Sequence, residues 1–368
     1  MNQYTKYYFF LFLGTVISTL FHGQQTNTLF NTQVHAIEAE IPQILDSAHI
    51  PGISIALIDK GELVWSKGFG VVNKESGVKV SGETIFPAAS LGKSVFAYAV
   101  LKMVSLGKLQ LDSAITSTLP LQYLEENILK GKLLDEKIKL ITPRMILSHS
   151  SGLPNWRTTG EPLKTLFTPG ERYSYSGEAY FLLQLFVEYI MMQPIEKVMH
   201  HFVFEPLAMK SSTYLAGDHE RYTSTYGNDG QPVIADPHEM ANVAHTFKTN
   251  ATDYARFIIA VMNGNGLTKT VSKEMFHPQI TTDICRGKIA WGLGFAIQET
   301  DQGTAFFQWG KSPDASGYFI GFKESGKAIV YFTNIANQGL RIGEVLVHDA
   351  LHYQDPLFAC FGVKQYNQ

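Results

Sequence analysis

Ser90 and Lys93 stand three residues apart at the head of an apolar stretch, in Phe86-Pro87-Ala88-Ala89-Ser90-Leu91-Gly92-Lys93-Ser94-Val95. Pro87 suits a first helical turn, and Val95, Phe96, Ala97, Tyr98, Ala99, Val100, Leu101, Met103, Val104 and Leu106 make the segment apolar nearly all round, the pattern of a buried helix. Positions three apart share a helix face, so hydroxyl and amine come within reach of each other. Desolvation and the positive helix start both favour the neutral amine, which can take the serine proton and leave a nucleophile. The simpler alternative, a capping serine followed by a surface lysine, conflicts with the burial pattern, because an uncompensated charge inside an apolar helix is costly. Chemistry of this kind needs a second proton-handling group and a cation for an anionic substrate. Tyr175, in Pro169-Gly170-Glu171-Arg172-Tyr173-Ser174-Tyr175-Ser176-Gly177, and Lys311, in Trp309-Gly310-Lys311-Ser312-Pro313-Asp314-Ala315-Ser316-Gly317-Tyr318, are the candidates.

Elements that position these residues can be read on either side of them. Val34, Ile37, Ile41, Ile44 and Leu45 recur at helical spacing before Pro51-Gly52, and Ile53 to Ile58, Asp59-Lys60-Gly61 and Leu63 to Gly68 read as strand, turn and returning strand. From Ser90 to about Phe257 strand signals almost vanish, and Asn250-Ala251-Thr252-Asp253 opens a helix with a capping-box-like start. Strand character returns at Gly292 to Ile297, Thr304 to Trp309, Tyr318 to Phe322 and Ala328 to Thr333, and a closing helix carries Leu340, Ile342, Val345, Leu346 and Ala350. The simplest assembly is an α+β fold: an antiparallel sheet of early and late strands, flanked by N- and C-terminal helices, with a mostly helical region inserted. In numbers, residues 30–90 and 285–355 form the sheet region, 91–284 the insertion and 356–368 a C-terminal tail. Ser90 then lies on the seam, where sites usually form.

With 368 residues and 45% hydrophobic content the chain has an ample core, and a formal charge of −3 without charge runs argues against nucleic acid as a partner. A small-molecule or peptide substrate fits better. Tyr7 to Phe21 is apolar apart from Gly14, Thr15, Ser18 and Thr19, which is short for a bilayer span and reads as an export signal over residues 1–23, with cleavage after Gly23. An uncleaved segment attaching the protein to a membrane is the alternative. The expected location is therefore periplasmic or extracellular. Cys285 and Cys360 are the two cysteines, and the sequence leaves their pairing open. His200, His201 and His245 lack acidic or cysteine neighbours at ligand spacing, so no metal is expected.

Several ordered blocks resemble the serine penicillin-recognising enzymes, the family of class C β-lactamases, D-alanyl-D-alanine carboxypeptidases and related carboxylesterases. The resemblance runs from about Gln33 to Tyr353. Phe86 to Lys93 is similar to the family's Ser-x-x-Lys block, Ile141 to Pro154 to the segment ending in His-Thr-Ser-Gly-Leu, Pro169 to Tyr180 to the Tyr-x-Asn block, and Phe204 to Met209 to the Pro-Leu-Gly-Met block. Lys311 to Tyr318 resembles Lys-Thr-Gly-x-x-x-Gly-Phe; an alternative register places Trp309 at the lysine, as in some esterases, but misplaces Gly317. What the resemblance implies is acylation of Ser90, with Lys93 and Tyr175 sharing the roles of base and acid and no cofactor. It implies an oxyanion hole from the backbone N–H groups of Ser90 and Asp314, substrate binding by Lys311 and Ser312, and an Asn334 near the cleft.

Two departures stand out. Gly177 occupies the place of the family's Asn, and Pro313 replaces a glycine, removing an N–H and fixing φ. Both weigh against efficient β-lactam hydrolysis while leaving Ser90, Lys93 and Tyr175 intact, and restoring Asn at Gly177 is expected to speed β-lactam acylation. His149 reads as a loop histidine that holds backbone groups. The expected function is an exported serine hydrolase acting on D-Ala-D-Ala-like peptides, β-lactams or esters. Its rivals are a carboxylesterase with no cell-wall role and a binding protein that keeps the fold without turnover.

Overall fold

A computed structural model describes residues 34–360 except 36, 130–134, 159, 217–220 and 235–239. The expected export segment lies outside the described residues.

Ile53 to Ile58 is an unbroken apolar run, and it becomes the buried strand β1, Gly52–Asp59. Lys60 and Gly61, with φ of 53° and 75°, make the two-residue left-handed turn that favours a hairpin, and β2, Glu62–Gly70, returns beside β1. The other edge of β1 pairs antiparallel with a strand from the far end of the chain, β6, Lys327–Thr333, with Ile53 opposite Thr333 and Ile58 opposite Ala328. The strands β3 (Ala296–Thr300), β4 (Gly303–Lys311) and β5 (Ser316–Phe322) continue the sheet. Its order is β2-β1-β6-β5-β4-β3, followed by the short strands Ala290–Trp291 and Ile280–Thr281. The fold is α+β, with the first and last strands of the described residues paired in one antiparallel sheet.

The expected strand over Gly292 to Ile297 begins later than its apolar pattern suggests. Gly292 N–H donates to Phe295 O at 2.9 Å and Gly294 has φ of 95°, so residues 292–295 form a tight turn before β3. Pro356–Cys360, placed in a tail by the sequence reading, forms a short helix bonded to the sheet region through a Cys285–Cys360 disulfide.

Side chains alternate across the sheet and divide the core in two. Ala56, Ile58, Phe306, Phe319, Val330 and Phe332 face the helical region. Ile55, Leu57, Phe307, Tyr318, Ile320 and Tyr331 face the other way, toward α1 (residues 37–47), α5 (Gly343–Leu351) and α6 (Pro356–Cys360). Within the helical region, α2 (Leu91–Ser105) is buried nearly all round, α3 spans Gly177–Met191, and α4 spans Ala251–Asn263. The Asn250 side chain accepts from Asp253 N–H at the start of α4 at 2.9 Å, and Gly264, φ 65°, ends it. Among the described residues no helix is long and apolar enough to cross a membrane.

Candidate active site

Ser90 precedes α2 at its N-terminus, and the first turn is closed by Leu91, Gly92 and Lys93 N–H groups donating to Ala88, Ala89 and Ser90 carbonyls. The N–H of Ser90 lies ahead of that ladder, where helix donors lack intrahelical partners. Ala89 has φ of 45°, a left-handed conformation that is strained for a residue with a Cβ and that turns the chain sharply into the nucleophile position. One turn on, Lys93 Nζ lies 3.0 Å from Ser90 Oγ and donates to Ala244 O at 2.7 Å. Its amine is buried, and desolvation brings its pKa down to about 7. Near neutral pH the amine therefore carries a lone pair that can receive a proton from Ser90.

Tyr175 comes to the same place from the loop before α3. Lys93 Nζ sits 4.9 Å from its ring centroid. Burial pushes the phenol pKa up, while contacts with the Ser90 hydroxyl and the Gln308 side chain act in the opposite direction. His149 brackets this tyrosine. Its carbonyl accepts from Ser174 N–H at 2.7 Å, its Nδ1 accepts from Ser176 N–H at 3.1 Å, and its ring lies 4.2 Å from the Tyr175 ring. An accepting Nδ1 fixes the neutral tautomer, and burial together with the nearby Lys93 lowers the pKa of His149 well below its ordinary value.

Strand β4 forms the opposite wall, in a register different from the one expected. Ser312 N–H donates to Ala315 O at 2.9 Å and Lys323 N–H to Thr304 O at 3.2 Å, so even-numbered residues make the hydrogen-bonded pairs with β5. N–H groups of the odd residues Trp309 and Lys311 then point to the other edge, which β3 leaves uncovered beyond Phe307. Gly310 presses against the nucleophile segment so closely that a Cβ there would lie 2.3 Å from Ala88 O. Gln308 shares that face with Gly310 and Phe306, is fully buried, and reaches Tyr175. Its Oε1 accepts from Trp309 N–H at 3.1 Å, which leaves the buried Nε2 as the donor turned toward Tyr175, without a full hydrogen bond to any described residue.

Lys311, expected to face the substrate, instead sends its side chain to the face of Phe307 and Trp309 and is exposed. Trp309, the alternative for that position, lies 6.1 Å from the Trp291 ring on the same far side. Alternation along the strand decides both points. Ser312 and Asp314 build the turn after β4: Ser312 Oγ donates to Asp314 Oδ1 at 2.7 Å and accepts from Ala315 N–H at 3.1 Å. Asp314 also receives Thr225 Oγ1 at 2.5 Å. By the ladder parity, the backbone donor on the uncovered edge next to Gly310 is Lys311 N–H rather than that of Asp314. Asn334 is fully buried and donates through Nδ2 to Val71 O, Thr223 Oγ1 and Ser224 O, which ties loops together.

Gly177 has a neighbour that the sequence does not reveal. A Cβ at this position would lie 2.6 Å from both Cζ2 and Cη2 of Trp156, so the indole fills the space into which a side chain would project. Gln308 carried a signal in the sequence, as the one polar residue in the run Ala305-Phe306-Phe307-Gln308-Trp309; Trp156 carried none. Among the described residues no group of three or more His, Cys, Asp or Glu side chains converges as a metal site would require.

The sequence model of the Beta-lactamase family matches residues 37–351. The chain belongs to the beta-lactamase family. Within it, the chain is 27% identical over 237 residues to Esterase EstB of Burkholderia gladioli, covering 56% of this chain and 58% of that protein. It is 26% identical over 232 residues to Protein flp of Staphylococcus aureus strain MW2, covering 57% of this chain and 44% of the other. These matches span about half the length of each relative. The fold is similar to that of a penicillin-binding protein homologue from Pyrococcus abyssi, with a TM-score of 0.72 and 21% identity over 88% of this chain and 80% of the other. A D-alanine carboxypeptidase from Burkholderia cenocepacia gives 0.71 and 19% over 88% and 99%. The chain thus has the fold of the family's serine hydrolases.

Proposed function

We propose that this chain is a serine hydrolase that acylates Ser90 and acts on uncharged esters. The observation that carries this reading is Gln308, a neutral amide whose buried Nε2 faces Tyr175 at the β4 position without a full hydrogen bond to any described residue. A buried amide donor suits a carbonyl or ether oxygen, whereas a substrate carboxylate desolvated there would lack a compensating cation. D-Ala-D-Ala-like peptides and β-lactams both carry such a carboxylate. The esterase relative points the same way.

In the reaction, Ser90 Oγ attacks the ester carbonyl as Lys93 Nζ takes its proton. The tetrahedral oxyanion is held by the N–H groups of Ser90 and Lys311, a type of contact worth roughly 10² to 10³ in rate per donor. Tyr175, kept as a neutral phenol by burial, donates a proton to the leaving alkoxide and is reprotonated from Lys93. Water then attacks the acyl-serine by the reverse relay. Export is part of the same proposal; it is supported by the Tyr7 to Phe21 apolar run and by the Cys285–Cys360 disulfide, which suits an oxidising compartment.

The test is a substrate panel followed by intact-mass spectrometry: short alkyl and aryl esters, a penicillin, and a D-Ala-D-Ala peptide. Ester turnover with a transient acyl adduct on Ser90, absent in Ser90→Ala, is expected. Rapid acylation by penicillin or peptide with no ester turnover would refute the ester preference.

A further inference from the structure

Trp156 is about half exposed, at 49%, yet it is not on a loosely held loop. Both Gly177 N–H and Glu178 N–H donate to Asn155 O at 3.0 Å, and Gly177 N–H also reaches Asn155 Oδ1 at 3.0 Å. On the other side of the indole, Arg157 N–H donates to Glu178 Oε1 at 3.2 Å, and Arg157 Nε stands 3.4 Å from the same oxygen. Residues 155 and 157 therefore clamp Trp156 onto the start of α3, two residues beyond Tyr175.

The indole also approaches the segment that anchors Lys93. Its ring centroid is 6.3 Å from that of exposed His245, at an interplanar angle of 77°, and His245 follows Ala244, whose carbonyl holds Lys93 Nζ. An apolar ring held rigidly and left half in water, spanning the two segments that hold Lys93 and Tyr175, has the make-up of a binding wall. Its edge fills the place where a side chain at residue 177 would supply polar contacts.

We infer that Trp156, with His245 beside it, forms an aromatic subsite at the mouth of the Ser90 cleft that selects esters carrying a flat apolar group. The inference deepens the ester-hydrolase reading and rests on it for its substrate class. Aromatic packing supplies both area and a preferred edge or offset geometry, so a phenyl group gains where a methyl group does not.

Three esters separate the possibilities: ethyl acetate, with no aromatic group; ethyl phenylacetate, with one on the acyl side; and benzyl acetate, with one on the alcohol side. Wild type should prefer one of the two aromatic esters over ethyl acetate by at least tenfold in kcat/KM. Trp156→Ala should cut that preference about tenfold, mainly through KM, while Trp156→Phe retains most of it. Where wild type turns these esters over, equal preferences in wild type and Trp156→Ala, or no aromatic preference in wild type, would overturn the inference. Binding gives a readout free of turnover. In Ser90→Ala, the preferred ester should shift the Trp156 indole N–H resonance on titration, and the affinity should fall about tenfold in Ser90→Ala/Trp156→Ala. Failure of that shift counts against the subsite. A clear shift, together with failure of a fluorophosphonate to label Ser90 in wild type, would remove the hydrolase reading and leave the subsite standing.

Discussion

At the scale of single residues, burial is the largest influence on both ionisable groups beside Ser90, and it moves them in opposite directions. The same dry environment pulls the Lys93 amine down to about 7 and pushes the Tyr175 phenol up, because each is driven toward its neutral form. In the proposed mechanism this makes Lys93 the base and Tyr175 the donor at neutral pH. The acid limb of kcat/KM should bend near pH 7, and the rate of Ser90 labelling by a fluorophosphonate should bend with it; a limb unchanged from pH 5 to 9 would remove Lys93 from the role of base. Folding stability is linked to the same group with a definite sign. With a folded pKa near 7 against 10.5 for an ordinary lysine, the unfolded chain binds the extra proton between these values, so stability rises with pH across that window. Lys93→Met should flatten that rise, as read by denaturant unfolding at pH 7 and pH 10. Tyr175→Phe makes a different prediction: loss of the donor should cost alkyl esters about 10² to 10⁴ in kcat, the usual range for general acid catalysis, and aryl esters with good leaving groups much less. Equal losses for both would mean that Tyr175 acts in some other way.

At the scale of elements, the question is what keeps Tyr175 in place, since it comes from a loop. His149 does so from three directions: carbonyl to Ser174, Nδ1 to Ser176, and ring against ring. His149→Ala should lower kcat at least tenfold with KM changed less, and destabilise the fold by about 2–3 kcal/mol through a cavity and an unpaired Ser176 N–H. His149→Asn, which restores an acceptor, should recover part of kcat while the acid limb stays near pH 7, because Lys93 is untouched. A drop in stability with kcat unchanged would reduce His149 to packing. The same loop shows how far the sequence could be read. Ile53 to Ile58, Ala328 to Thr333 and the apolar helix after Ser90 were legible because length and periodicity are local properties, and Ser90 and Lys93 fall on one helix face by spacing. Tyr175 stands out as a candidate by residue type, but only the resemblance of Pro169 to Tyr180 to the Tyr-x-Asn block ties it to Ser90. Gln308 is the one polar residue of its run, but β4 is buried on both faces, so alternation between polar and apolar residues does not say which way it points; the close approach of Gly310 to Ala88, across more than 200 residues, does. Gly177 likewise looked like a lost amide, whereas the structure gives it a steric reason in Trp156. Gly177→Asn alone must displace that indole, so the gain in β-lactam acylation expected from the sequence requires Trp156 to be replaced as well.

At the scale of the whole molecule, the cleft exists because three remote parts of the chain meet at one seam. Ser90 and Lys93 come from the head of α2, Tyr175 from the entry to α3, and Gln308 from β4, and the pairing of β1 with β6 closes the sheet that carries the last of these. The two cores divide the work. The inner core, between sheet and helical region, supports the head of α2 that carries Ser90 and Lys93, whereas the outer core, under α1, α5 and α6, secures the ends of the described chain and also packs against Tyr175. The Cys285–Cys360 disulfide belongs to the outer core, where it fastens α6, with Leu357 and Phe358 buried, to the turn at Ile284–Gly287. Its sequence separation of 75 residues makes the bond a constraint mainly on the unfolded chain, worth about 4 kcal/mol on loop-closure grounds. Cys360→Ser should therefore lower Tm by roughly 3–6 °C for a chain of this length, with kcat/KM held within about threefold, because Ser90 and Lys93 belong to α2 on the other side of the sheet and Tyr175, which does pack against the outer core, is held by His149. Wild type treated with reductant should melt with the variant, since both lack the same bond. A variant that melts with untreated wild type would show that burial of Leu357 and Phe358 alone secures α6; a variant that keeps its Tm but loses activity would show instead that the outer core reaches the cleft, by way of Trp291, whose ring lies 4.9 Å from that of His149.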